Sequence, residues 1–91
     1  MPEEEDRSWQ RLDKFLFFAR FCKSRALAGD LIAQGMVRIN RQPTEKPHAK
    51  LRPGDVLTLA LARGVVVAKV LELAPRRGPA AEARRLYDEI A

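Results

Sequence analysis

The sequence is poor in the residues that most often carry catalysis and metal binding. It holds one cysteine, Cys22, and one histidine, His48. A lone cysteine excludes an internal disulfide and fits a reducing, cytoplasmic setting. These two residues, far apart in the chain, cannot build a zinc site. There is no GxxxxGK[ST] loop and no GxGxxG, so a phosphate-cradling nucleotide site has no support. Apolar runs fall well short of the roughly 20 residues that span a bilayer, so no membrane association is expected. The opening Met1-Pro2-Glu3-Glu4-Glu5-Asp6 is acidic where a secretory signal needs positive charge. Cys22 reads as a small hydrophobe without an activating base, and His48 as an exposed loop imidazole. The acidic pairs Glu3-Glu4 and Asp88-Glu89 read as solvated charge. The expectation is a protein without catalytic residues, cofactor or metal.

What is present is a basic, foldable chain. Hydrophobic residues make up 46% and aromatics 7% of 91 residues, enough for one compact domain and too few for a second core. The net charge of +5 is unevenly spread: residues 1–10 carry −3, residues 11–52 carry +7 and residues 53–91 carry +1. Such concentration is the electrostatic footprint expected for a polyanion, although a basic surface that merely aids solubility has the same composition.

Periodicity predicts the elements. A helix is expected over residues 10–21, with Leu12, Phe15, Leu16 and Ala19 in one arc about 100° wide. Arg11, Lys14, Phe18 and Phe21 share another arc. Ser24 is a suitable N-cap for a second helix over residues 25–34, whose inner face carries Leu27, Ala28, Leu31 and Ile32. Gly35 stands where a left-handed C-terminal residue is wanted. A strand follows over residues 36–40, with Val37 and Ile39 on one face and Arg38 and Asn40 on the other. Asn40-Arg41-Gln42 reads as a tight turn, residues 43–51 as a short strand plus an exposed loop, and Arg52-Pro53-Gly54-Asp55 as a Pro-Gly turn. Residues 56–61 and 65–73 form a hairpin around Ala62-Arg63-Gly64. Pro79 begins a last helix over residues 80–90, with Ala83, Leu86, Tyr87 and Ile90 available for docking. The predicted class is α+β: a two-helix hairpin (αL motif) packed on a small, mostly antiparallel β-sheet, with a C-terminal helix. The expected division is an acidic flexible tail over 1–9, the main domain over 10–73 and an extension over 74–91.

The cations fall where a rigid support would present them to structured RNA, which is recognised through shape, phosphates and sugars. Arg11 and Lys14 lie on one flank of the first helix. Lys23, Ser24 and Arg25 sit at the start of the second, where exposed N–H groups and the helix dipole favour a phosphate. Arg38 and Asn40 project from the polar side of the first strand, and Arg41, Lys46 and Lys50 follow in the turn and loop. Arg52, Arg63 and Lys69 read individually as ordinary surface charges.

The runs Arg11-Leu12-Asp13-Lys14-Phe15-Leu16, Arg20-Phe21-Cys22-Lys23-Ser24-Arg25-Ala26 and residues 31–40, with Pro53-Gly54-Asp55 later, resemble the RNA-binding domain first described in ribosomal protein S-four. The tail stretch Arg76-Arg77-Gly78-Pro79-Ala80-Ala81-Glu82-Ala83, with Leu86-Tyr87, is similar to that of stand-alone bacterial heat-shock members of the family. The resemblance implies binding of ribosomal or transfer RNA on the large ribosomal subunit when it carries a stalled nascent chain, and help in recycling it. DNA binding has also been described in such proteins. It implies RNA-facing roles for Arg11, Lys14, Lys23, Ser24, Arg25, Arg38, Asn40 and Arg41, and core roles for Leu12, Leu16, Leu27, Leu31, Ile32, Val37 and Ile39. The chain departs from the pattern at Asn40-Arg41, where Asn-Gly is usual, at Phe15 and Phe17, where the family often has Trp, and in lacking a longer basic tail. Asp13 has several uses open: neutralising Arg20 or Arg25, or favouring the first helix's N-terminus. Arg20 is open between RNA contact and an internal tether, and Phe18 and Phe21 between base stacking and packing under the C-terminal segment.

Two rival readings remain at this level. One is an RNA-modifying enzyme, since this domain often precedes a catalytic one; no such domain is expected here. The other is an adaptor or nucleic-acid-binding regulator, DNA included, unrelated to ribosome recycling. A monomer is expected.

Overall fold

The structure, a computed structural model, describes residues 8–90. The expected flexible acidic tail falls almost entirely on residues 1–7, outside the described residues. A short strand, β1 (Gln10–Arg11), runs straight into α1 (Leu12–Phe18), and α2 (Arg25–Ala33) completes the helical pair. Leu12, Phe15, Leu16 and Ala19 are buried, as the helical wheel predicts.

α1 stops about a turn before residue 21. Ala19 caps it, and Arg20 turns into the left-handed region at φ 66°. The Arg20 N–H donates to the Phe17 carbonyl (3.1 Å) and the Phe21 N–H to the Leu16 carbonyl (2.9 Å). This is the Schellman closure, which glycine normally provides, and an arginine in that place conceals the stop. α2 ends by the same closure with the glycine in place: Gly35 has φ 78°, and the Gly35 and Met36 N–H groups reach the Ile32 and Leu31 carbonyls at 2.9 and 3.2 Å. At its other end the Ser24 hydroxyl accepts from the Leu27 N–H at 3.1 Å, the predicted N-cap. Ala28 and Ile32 are buried, but Leu27 is a correction to the predicted inner face: it is 51% exposed, because the Ala28–Ile32 ridge faces inward and Leu27 lies at its side.

The main sheet comprises β2 (Val37–Ile39), β3 (Gln42–Pro43), β5 (Val56–Leu61), β6 (Gly64–Val70) and β7 (Tyr87–Glu89), in the order β3-β2-β5-β6-β7 with every pair antiparallel. β4 (Lys50–Leu51) leaves that sheet and pairs with β1, placing Arg11 opposite Lys50. The Ile39↔Gln42 pair closes on Asn40 (φ 52°) and Arg41 (φ 72°), a two-residue turn with both centres left-handed. Asparagine tolerates that conformation; arginine adopts it at a cost of about 1 kcal/mol. The Pro-Gly turn forms as predicted, with Gly54 at φ 96° and the Asp55 N–H on the Arg52 carbonyl at 3.1 Å.

The C-terminal helix is real but short. α3 (Ala80–Ala83) passes into a 3-10 turn (Arg84–Leu86), and the chain then becomes β7 where the helix was expected to continue to residue 90. The free edge of β6 explains the difference, since its backbone groups need partners. The Leu71 N–H reaches the Leu86 carbonyl and the Ile90 N–H the Val67 carbonyl, each at 2.7 Å. Ala83 and Leu86 dock as expected, whereas Ile90 is 57% exposed.

One core unites these parts. Leu12, Phe15, Leu16, Ile32, Val37, Leu51, Leu57, Leu59 and Val70 are all fully buried. Leu31 and Ile39 are partly buried against it. No helix of the described residues is long and apolar enough to cross a membrane.

Candidate nucleic-acid interface

The site grows from the place where the two helices begin. Asp13, in the first turn of α1, is 5% exposed, and its carboxylate accepts two hydrogen bonds from Arg11, at 3.1 Å from Nε and 2.9 Å from Nη2. Arg25, at the start of α2, donates to the same carboxylate at 3.4 Å. One buried acid therefore holds two guanidinium groups from different elements side by side, each with over two-fifths of its side-chain area exposed. The Leu12 and Asp13 N–H groups are occupied by the Ala49 and Pro47 carbonyls, at 2.9 and 3.0 Å, which pin the 47–49 loop onto the start of α1. Of the uses open to Asp13, the structure selects Arg25 and adds Arg11; Arg20 is elsewhere.

Burial by itself would raise the Asp13 pKa. The hydrogen bonds and charge of Arg11, then those of Arg25, outweigh it and hold the carboxyl below its ordinary value. A folded-state pKa below the unfolded one contributes stability that is present above the ordinary aspartate range and lost as pH falls through the folded value. Chemical denaturation between pH 6 and pH 3 is therefore expected to show a fall in stability below about pH 4. An Asp13→Asn variant should lose part of that fall; an unchanged pH profile in the variant would show that Asp13 plays no part in it.

The other predicted residues divide into two groups. Lys23 is exposed beside Arg25, Ser24 is committed to capping α2, and Lys14 lies half-buried one turn beyond Arg11. Lys50 faces Arg11 across the β1–β4 pair, with its ammonium 4.8 Å from the centroid of the Trp9 ring. These residues gather around the Asp13 knot. Arg38, Asn40, Arg41 and Lys46 are exposed in β2, the β2–β3 turn and the following loop. Asn40 is engaged on both sides of its amide: Nδ2 donates to Asp55 at 3.0 Å and Oδ1 accepts from the Val56 N–H at 2.9 Å. Its side chain locks the β2–β3 turn to the Pro-Gly turn, leaving the neighbouring Arg38 and Arg41 as the outward cations there.

Two features, at Gln10 and Arg77, were missed in the sequence. Gln10 makes a two-point contact with the backbone of Ala74, donating at 2.6 Å and accepting at 3.2 Å. Arg77 donates to the Phe17 carbonyl at 3.1 Å and lies 4.8 Å from that ring's centroid, a cation at the C-terminal end of α1. Arg20 donates to the Gly78 carbonyl at 2.7 Å, so its tether reaches the C-terminal extension and not the second helix. Phe21 stacks on Tyr87 with centroids 4.5 Å apart, the packing use under the C-terminal segment. Of the two missed features, only Arg77 carried a signal, in the paired arginines at 76 and 77, and nothing in the pattern said what they would hold. Cys22 is partly buried, and burial pushes its thiol pKa up. His48 is exposed, and no group of three potential metal-ligating side chains forms among the described residues.

A helix pair whose first turns share a buried carboxylate is carried here on a small antiparallel sheet with a basic face. The chain belongs to the S4 domain family, whose pattern matches residues 10–57. Within that family it is similar to heat shock protein 15 of Escherichia coli strain K12, at 41% identity over 81 residues, covering 89% of this chain and 60% of that protein. The chain thus spans about three-fifths of the length of that relative. It is also similar to the RQC P-site tRNA stabilizing factor of Bacillus subtilis, at 40% identity over 69% of this chain and 72% of that one. Among solved structures, a trimeric structure of Vibrio cholerae heat shock protein 15 superposes with a TM-score of 0.85 at 35% identity, covering 91% of this chain and 83% of its own.

Proposed function

We propose that this chain binds structured RNA on the large ribosomal subunit when that subunit carries a stalled nascent chain on transfer RNA, and aids its recycling under stress in the cytoplasm. The observation that carries the reading is the Asp13 knot. A buried carboxylate that aligns Arg11 and Arg25 at the meeting of two helix starts fixes paired donors at the cost of one negative charge. Fixed guanidinium forks suit the bidentate recognition of phosphate, and a locked pair loses less side-chain entropy on binding than two mobile lysines would. Lys14, Lys23 and Lys50 surround that pair, and Arg38, Arg41 and Lys46 extend the cationic surface along the first strand and its turn. The names of the relatives supply the setting: one is a heat-shock protein and another a factor that stabilizes P-site tRNA. The functional unit on this reading is residues 10–73, with 74–91 as an extension stapled to it.

Sedimentation with isolated large subunits tests the proposal. Retention should be strong on subunits bearing peptidyl-tRNA, weaker on empty ones, and should fall steeply with added salt, as counterion release requires. Equal absence from both particles would sink it. A DNA duplex that competes as well as ribosomal RNA would instead make the chain a general nucleic-acid binder.

A further inference from the structure

A second group of cations lies away from the Asp13 knot. Arg20, Arg63 and Arg84 line one recess of about 620 Å³, together with Tyr87 and Glu89. The three arginines come from the left-handed residue after α1, the β5–β6 turn and the 3-10 turn, so only the folded chain brings them together. All three are exposed. Among the described residues none of them makes a salt bridge, and the one carboxylate in the recess, Glu89, is left without an ion pair. Arg20 is held in place from within: its backbone closes α1, and its Nε is fixed on the Gly78 carbonyl at 2.7 Å. Tyr87 is likewise fixed by its ring contact with Phe21.

Three guanidinium groups lining one open recess, with a single acid there among the described residues, favour an anion between them. We propose that this recess is a second phosphate-binding site, one that takes the phosphodiester backbone of RNA at a point distinct from the Asp13 knot. The proposal rests on the RNA-binding reading above and extends it. Arg11 and Arg20 stand at opposite ends of α1, roughly 13 Å apart at the helical rise per residue, and their guanidinium groups are tied to different anchors, Asp13 and the Gly78 carbonyl, so one phosphate group does not serve both. A ligand that reaches both places is therefore a polymer of phosphates, and the site is a second point of grip on the same RNA. Fixed guanidinium forks at both points would set the orientation of that RNA, since phosphate contacts position a ligand while carrying no base information.

The test uses the whole chain and two probes. Titration with inorganic pyrophosphate, followed by the NMR signals of the arginine side-chain Nε–H groups, should shift Arg63 and Arg84. Absence of any shift there would overturn the proposal, and this measurement does not depend on whether RNA is the natural ligand. The second probe is a ribosomal RNA hairpin, with affinity measured at several salt concentrations for the native chain, for Arg63→Gln/Arg84→Gln and for Arg25→Gln. The recess variant should bind about tenfold more weakly, with its salt slope reduced by about one to two phosphate equivalents. Its loss should add to that of Arg25→Gln, as distant sites do. Unchanged affinity and slope in the recess variant, with Arg25→Gln still impaired, would overturn the second site and leave the first intact. A native chain that fails to bind the hairpin at all would overturn the RNA reading and, with it, the assignment of the recess to RNA. Arg63 and Arg84 are exposed, so thermal melting should be unchanged.

Discussion

Replacing Lys23 and Arg25 together with alanine is expected to weaken RNA binding about a hundredfold while leaving the fold in place. Each charge-assisted contact to phosphate contributes on the order of 1.5–3 kcal/mol, and losing two of them amounts to roughly 3 kcal/mol or more. The structure explains why this pair is the informative choice. Asp13 keeps its two shorter hydrogen bonds from Arg11 when Arg25 is removed, so no buried charge is left unpaired. Removing Arg11 as well would strand that carboxylate and confuse binding with stability. Fluorescence anisotropy against a ribosomal RNA fragment measures the affinity, and circular dichroism checks the fold. Native affinity in the double variant would show that the face around α2 is not the RNA contact, and an unfolded variant would make these side chains structural.

Phe15→Ala is expected to cost about 3–5 kcal/mol of stability, the usual loss when a fully buried aromatic leaves a cavity. Phe15 is the largest fully buried side chain, on the face of α1 that meets the rest of the core. Domains of this size have about 5–15 kcal/mol in hand, so this single change consumes much of it. Urea denaturation should show a large drop in midpoint, with the Phe15→Leu variant falling between the two. A midpoint close to native for Phe15→Ala would mean that α1 contributes little to the core. Since Asp13 sits on α1 and Arg11 immediately before it, loosening α1 should also weaken RNA binding, even though Phe15 touches no ligand.

Much of the frame was legible because local signals were strong. The buried stripe of α1, the Ser24 cap, the Gly35 closure and the Pro53-Gly54 turn each rest on a residue whose chemistry leaves few choices. The errors have two causes. Arg20 adopts a left-handed conformation normally given to glycine, so the end of α1 carried no recognisable mark. Residues 87–89 have the spacing of a helix face but became a strand because β6 had an open edge, a demand set by tertiary structure that no local window contains. For the site, the concentration of positive charge located the face. The arrangement was not legible: that Asp13 joins Arg11 to Arg25, that Asn40 is spent on Asp55 and Val56, and that Arg20 points to Gly78 all depend on contacts between distant segments.

The two-point contact between Gln10 and Ala74 also bears on how the protein comes into being. It joins residues 64 positions apart, and Gln10 immediately precedes the arginine that Asp13 holds. During synthesis from the N-terminus, α1 and α2 leave the ribosome long before Ala74 does. Their cations emerge early, while the corner beside Arg11 waits for Ala74. A nascent copy therefore carries the charges of the basic face before it carries their final arrangement, which waits until the segment around Ala74 has followed.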